Sequence, residues 1–192
     1  MIDKNIFKKL NKELSAKDQM RERVIIESRP ILKNSKSAIY ALHKDDMKQA
    51  ESNLDAARRD IEKLKKIIEK NQELAYGIYI SALQEYTEAV TYYHFLKDKK
   101  LIGNDTIGVD AENYLLGICD LTGELTRRAV FSVVNERYKD IPEIKDFVEI
   151  IHNEFLEFEL RNGELRKKSD SIKYNLKKIE EILYELKLRE KL

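Results

Sequence analysis

Turn formers are scarce in this chain. Six glycines and two prolines stand among 192 residues, about a third of the roughly 12% share that glycine and proline hold in an average protein. A β-sandwich or a doubly wound sheet turns far more often than that. The sequence is therefore predicted to fold as an all-α protein, a single domain over residues 1–192 with length enough for a sizeable core. Apolar residues make up 42%, charged residues 37%, and the formal net charge is +1. That balance excludes a disordered polyelectrolyte, and it excludes attraction of nucleic acid by overall charge while leaving local basic patches open. The single cysteine, Cys119, cannot form an internal disulfide, and with three histidines it cannot build a zinc finger. It suits a reducing compartment. With neither a signal-like apolar run nor a stretch approaching the roughly 20 residues of a spanning helix, the expected location is cytoplasmic.

Helical periodicity divides the chain into about six helices. They are expected over residues 3–40 (disturbed at Pro30, whose ring removes a backbone donor), 45–70, 72–98, 110–138, 140–160 and 164–189. LIGNDTIG at 101–108 and Asn162-Gly163 read as connections. Asp140-Ile141-Pro142-Glu143 reads as a helix start, with Asp140 as N-cap and Glu143 completing a capping box. No repeat or linker interrupts the pattern, so a helical bundle is the natural architecture.

Two of these helices break their own pattern. The third carries Leu74, Ile78, Ser81, Tyr92 and Leu96 on one stripe, and the middle of that stripe is filled by Glu85 and Glu88. Its other faces hold Ile80, Leu83, Ala89 and Val90, so the helix should be buried, and buried carboxylates need cations, donors or metal. The fourth helix has an apolar stripe of Tyr114, Ile118, Leu121, Leu125 and Ala129, with Asp120 and Glu124 one turn apart on another face. Gly117 and Gly123 leave room for a neighbouring helix or a ligand. Joined by the 101–108 loop as antiparallel neighbours, the two helices would converge four carboxylates. Oxygen ligands without histidine suit a hard cation, Mg²⁺ or Mn²⁺. The plainer reading also stands: Asp120 and Glu124 face solvent and pair with Arg127 or Arg128.

The strings LQEYTEAVTYYHFLKDKKLI at 83–102 and VDAENYLLGICDLTGELTRRAVFSV at 109–133 resemble the translin-associated factor X (Trax) branch of the translin family. The last helix, LRNGELRKKSDSIKYNLKKIEEILYELKLRE at 160–190, is more similar to translin itself. The resemblance covers about 75–190 and is weak over the N-terminal third. It implies all-helical subunits that assemble into closed, roughly octameric shells binding single-stranded RNA or DNA on an inner surface. In Trax-like subunits it implies a metal-dependent endoribonuclease. By motif, Glu85 and Glu88 match the glutamates of the catalytic helix, Asp120 the catalytic aspartate and Glu124 a further metal-associated acid. Glu88, Asp120 and Glu124 would then be the metal ligands, with Glu85 a further ligand or the general base. Trax-like and translin-like features share one chain, which implies a homo-oligomer that both cuts and binds. The alternative is a non-catalytic oligomer that binds single strands.

Candidate phosphate contacts are Arg127 and Arg128 beside the acid pair, Arg58 and Arg59 with Lys63, Lys65 and Lys66, and a cluster of Arg161, Arg166, Lys167 and Lys168. Tyr92, Tyr93 and Tyr174 are better read as packing residues than as base stackers. His94 projects away from the acids, and Cys119 reads as core. Glu149 and His152 match one Glu-x-x-His unit of a di-iron site, which needs two.

Overall fold

In the computed structural model, which describes residues 4–192, one 40-residue helix sets the frame: α1 (Lys4–His43). It is followed by α2 (Met47–Ile68), a 3₁₀ turn at Gln72–Leu74, α3 (Ile78–Asp98), the single turn α4 (Asn104–Ile107), α5 (Ala111–Val134), α6 (Asp140–Leu156) and α7 (Glu164–Leu188). No strand occurs among the described residues. None of the described helices is long and apolar enough to cross a membrane.

Pro30 does not break α1. It stands on the exposed side, while Val24, Ile31, Ala38 and Leu42 bury the opposite side against the bundle. That burial offsets the lost backbone bond, a loss of about 3 kcal/mol in an unsupported helix. Asp46 caps α2 by accepting from the Gln49 N–H at 3.0 Å. In α2, Ala50, Leu54, Ala57, Ile61, Leu64 and Ile68 recur at steps of three and four and form its buried stripe. α3 lies at the centre, against α1 on one side and α5 on the other; α5 in turn carries α7, and α6 closes that end. Tyr92 and Phe95 of α3 are fully enclosed.

Several helix ends depart from expectation, among them that of α6, which stops at Leu156 and not at residue 160. The third helix begins at Ile78 and not at residue 72, because Gly77 takes φ 59°, a conformation glycine adopts without strain. Leu74 is thus on the 3₁₀ turn, and Ser81 faces solvent. α5 ends at Val134, short of Tyr138, where Glu136 turns to φ 56° and Arg137 reaches back to Asp45 at 2.7 Å. Asp140 is the first residue of α6 and makes no capping bond; Glu143 pairs instead with Lys99 at the end of α3, at 3.0 Å.

The first turns of α1 extend past the bundle. Residues 4–19 are exposed all round, a length of roughly 24 Å at 1.5 Å per residue. Ile6, Phe7, Leu10 and Leu14 line one side of this arm with about half or more of their surface exposed.

Candidate functional site

The acids meet because α3 and α5 approach closely. A Cβ added to Gly117 would lie 2.7 Å from Thr87 Cβ and 2.8 Å from the Gln84 carbonyl oxygen, so only glycine permits this spacing. Gln84 Nε2 donates to Asn113 Oδ1 at 3.1 Å, and Asn113 is itself held by Asp110, the N-cap of α5. Gly123 is different: its nearest neighbour would be Asn175 Nδ2 of α7 at 3.8 Å, an ordinary contact.

Around this clamp the structure brings Glu85, Glu88, Asp120 and Glu124 into one electrostatic cluster. Glu88 is the deepest, with 8% of its surface exposed. Burial first, and then the charges of Asp120, Glu85 and Glu124, push its carboxyl up to about 9. Burial also raises Glu85, against the opposing pull of Lys36 from α1. Asp120 is raised by burial despite an ammonium that contacts it. That ammonium is Lys168 Nζ of α7, which donates to Asp120 Oδ2 at 2.5 Å. At Glu124 the partner is His43, the last residue of α1, whose Nε2 bonds Oε2. The Tyr92 hydroxyl lies 3.4 Å from His43 Nδ1, and Arg127 stands 3.7 Å from Glu124. Glu85 and Glu88 carry no side-chain hydrogen bond or ion pair among the described residues.

With Asp120 turned to Lys168 and Glu124 to His43, no group of three His, Cys, Asp or Glu side chains among the described residues is arranged to hold a metal ion as the side chains stand. The donor chemistry nevertheless fits a hard divalent cation: carboxylate oxygens, no thiolate, and a buried Glu88 whose carboxyl is pushed up first by burial and then by negative neighbours.

His43 was not singled out as a site residue from sequence, and no local spacing marks it, since it lies 81 residues from Glu124. A basic strip on α1 was missed as well: Arg29, Lys33, Lys36 and Tyr40 line a shallow groove of about 450 Å³. Its residues recur every three or four positions, a signal hidden by the core stripe of the same helix.

The basic candidates separate. Arg127 is exposed at the rim of the cluster. Arg128 is turned inward, 7% exposed, donating to Asp45 at 2.6 Å and to the Leu42 carbonyl at 3.4 Å. It ties α5 to the α1–α2 corner and is not available to a phosphate. Arg166 and Lys167 are exposed on the first turn of α7, next to Lys168. Arg58 and Arg59 are exposed on α2, which packs chiefly on α1 and α3; the structure does not bring them to the acids, and Arg58 is engaged with Glu62 at 3.3 Å. Tyr92 and Tyr93 are buried, whereas Tyr174 is exposed. Glu149 pairs with Lys145 at 2.7 Å. Cys119 is core, its thiol pushed up to about 12 by burial.

A helical chain without strands among the described residues, with a central helix pair carrying carboxylates and cations closing over them from flanking helices, defines a particular class of all-α bundle. The same fold is found in the crystal structure of apo-NeC3PO, with a TM-score of 0.85 and 25% identity, covering 96% of this chain and 97% of that one. It is found again in AfC3PO complexed with duplex RNA, at a TM-score of 0.87 and 21% identity over 95% and 97% of the two chains. The Translin family description matches residues 19–190, and the chain belongs to that family. Translin-associated protein X of Mus musculus is 31% identical over 95% of this chain and 78% of its own. Translin of Gallus gallus is 41% identical over a shorter stretch, 42% of this chain and 35% of its own.

Proposed function

We propose that this chain is the subunit of a cytoplasmic, homo-oligomeric endoribonuclease that cuts single-stranded RNA with the aid of Mg²⁺ or Mn²⁺. Its closed shell, an octamer, also binds single-stranded RNA or DNA. One observation carries the reading: Glu85, Glu88, Asp120 and Glu124 stand together on facing helices, with Glu88 buried among like charges. A structural role for four such acids would have paired them off, whereas here Glu85 and Glu88 make no side-chain hydrogen bond or ion pair among the described residues. The duplex RNA complex of AfC3PO, a protein of the same fold, supports RNA as the chemical class of ligand. Assembly is supported by the exposed apolar side of the α1 arm and by Val134, Tyr184 and Leu188 at the far ends of α5 and α7.

Glu88, Asp120 and Glu124 would hold the cation. Bound there, it would supply Lewis-acid stabilisation of the charge that builds on a phosphodiester and ease the ionisation of an attacking water. Glu85, half-buried at the edge of the cluster with its carboxyl raised by burial, would accept the proton of that water. His43 holds the Glu124 carboxylate in place. Arg127 and the exposed Arg166 and Lys167 draw the backbone of the strand towards the acids.

The test is cleavage of end-labelled single-stranded RNA, with a duplex arm, in Mn²⁺, Mg²⁺ and chelator. Metal-dependent cutting that falls at least about 10²-fold in Asp120→Asn and Glu88→Gln, with binding retained, is the expected result. Binding without cutting under every metal would leave a non-catalytic single-strand-binding oligomer. Cutting that both variants retain would remove the acids from the chemistry.

A further inference from the structure

We infer that Lys168 is a catalytic residue of this site: its ammonium, resting on Asp120 in the free protein, passes to the scissile phosphate when a divalent cation takes that carboxylate. The inference rests on the nuclease reading and adds to it a residue from a third helix.

Placement comes first. Lys168 belongs to the second turn of α7, yet its Nζ crosses to α5 and bonds Asp120 Oδ2 at 2.5 Å. Its side chain is 28% exposed and that of Asp120 32%, so the ammonium sits at the rim, between the buried carboxylates and the solvent from which a strand must arrive. Charge comes second. The cations facing the cluster divide it among them: Lys36 acts on Glu85, His43 and Arg127 stand against Glu124, and Lys168 is the one bonded to Asp120. The same ammonium acts on Glu85 and Glu88. It therefore stands in for part of the positive charge that a cation would bring.

An ammonium at hydrogen-bond distance and a divalent ion cannot share one carboxylate without strong repulsion. The four-carbon lysine stem lets the head swing clear at little cost, as the rigid fork of arginine would not. Once displaced, the ammonium stays at the rim to which the phosphodiester is brought. There it neutralises charge that develops on the non-bridging oxygens as water attacks phosphorus, its proton passing to Glu85, and the bond from phosphorus to the ribose oxygen breaks, that oxygen taking a proton from solvent. Lys168 forms no covalent bond and keeps its protons throughout.

A purely structural role is a poor account of the contact. α7 is fixed on α5 without it, through buried Ile172 and Ile179 and through Asn175, whose Nδ2 donates to Thr122 Oγ1 at 2.8 Å. Partly exposed ion pairs contribute little to stability. Variants at Lys168 should accordingly fold.

The experiment uses the full-length oligomer and compares wild type, Lys168→Met and Lys168→Arg. Calorimetric titration of the RNA-free protein with Mn²⁺ is paired with single-turnover RNA cleavage at saturating Mn²⁺ and with thermal unfolding. Lys168→Met should bind Mn²⁺ about tenfold more tightly, because a competing cation is gone, and should cut about 10²-fold more slowly. Lys168→Arg should recover part of the rate, and both should melt within a few degrees of wild type. Unchanged or weaker Mn²⁺ affinity, or an unchanged cleavage rate, overturns the inference. A wild type that cuts under no metal sinks the nuclease reading and this inference with it. A wild type that cuts, an Asp120→Asn that does not and a Lys168→Met that matches wild type sink the lysine alone.

Discussion

Gly117→Ala tests whether the packing of α3 on α5 is as tight as the geometry requires. The new methyl carbon would meet Thr87 Cβ at 2.7 Å, Thr87 Cγ2 at 2.8 Å and the Gln84 carbonyl oxygen at 2.8 Å. None of these can rotate away. The carbonyl is backbone, and Thr87 is held by its own hydroxyl bond to Leu83 O at 2.9 Å. The helices must therefore part, and overpacking of this sort costs about 1–3 kcal/mol. Alanine regains about 1 kcal/mol of helix propensity over glycine, which leaves a net loss of about 1–2 kcal/mol at the upper part of that range. For a chain of this length, that lowers Tm by roughly 2–8 °C. Gly123→Ala is the internal control. Its Cβ would find Asn175 Nδ2 at 3.8 Å and nothing closer, so the propensity gain stands unopposed. It should raise Tm by roughly 2–4 °C. Thermal scans by far-UV circular dichroism, at matched protein concentration because assembly couples to stability, decide the matter. A Gly117→Ala variant that melts at or above wild type, or two variants that shift in the same direction, would refute the close-approach argument. Parting the helices also separates Glu88 from Asp120, so Gly117→Ala should weaken Mn²⁺ binding where Gly123→Ala does not.

Three further outcomes follow from the same geometry. Glu88 titrates at about 9 in the fold against an ordinary 4.5, so between those values the folded chain binds its proton more tightly than the unfolded one. In chelator, its contribution to stability is full below the ordinary value and is lost as pH rises to about 9; the slope of Tm against pH should flatten in Glu88→Gln, and an identical slope would contradict it. Cys119 is 1% exposed with its thiol raised to about 12, so an aromatic disulfide reagent at mildly alkaline pH should label the native protein at least about 10²-fold more slowly than the denatured protein. Leu10→Lys with Leu14→Lys removes half of the large apolar residues of the α1 arm. Light scattering after size exclusion should show a smaller assembly with unchanged helical content, and an unaltered mass would mean that the arm is not part of the interface.

The fold class was readable because it rests on composition and on short-range periodicity. Five of the six helices expected from the sequence both start and stop within about four residues of the observed bounds, and the departures have identifiable causes. Gly77 takes a backbone conformation that its neighbours do not announce. Glu143 was free to complete a capping box but is drawn to Lys99 on another helix. Pro30 was read by its local cost alone, while the burial of α1 that outweighs that cost comes from residues elsewhere in the chain. The α1 arm escaped notice for the complementary reason: its apolar stripe looks like any core stripe until the rest of the bundle is seen to end before it.

The site divides along the same line. The acid pairs were visible because Glu85 with Glu88, and Asp120 with Glu124, are each within one turn of a single helix, and helix periodicity alone aligns them. Their partners arrive from far away in sequence: Lys168 lies 48 residues from Asp120, and His43 lies 81 from Glu124. No local pattern specifies which cation closes over which acid. Arg127 and Arg128 make the point at closest range. They are adjacent in sequence and equal in charge, yet about 100° of helical rotation separates them. One is exposed at the rim near Glu124, and the other is buried against Asp45 and the end of α1. Sequence offers both as phosphate contacts, and only the arrival of Leu42 and Asp45, at the corner between α1 and α2, beside α5 tells the binding candidate from the structural tie. Charge reversal at Arg127 should therefore weaken RNA binding without lowering stability, whereas the same change at Arg128 should act through the fold.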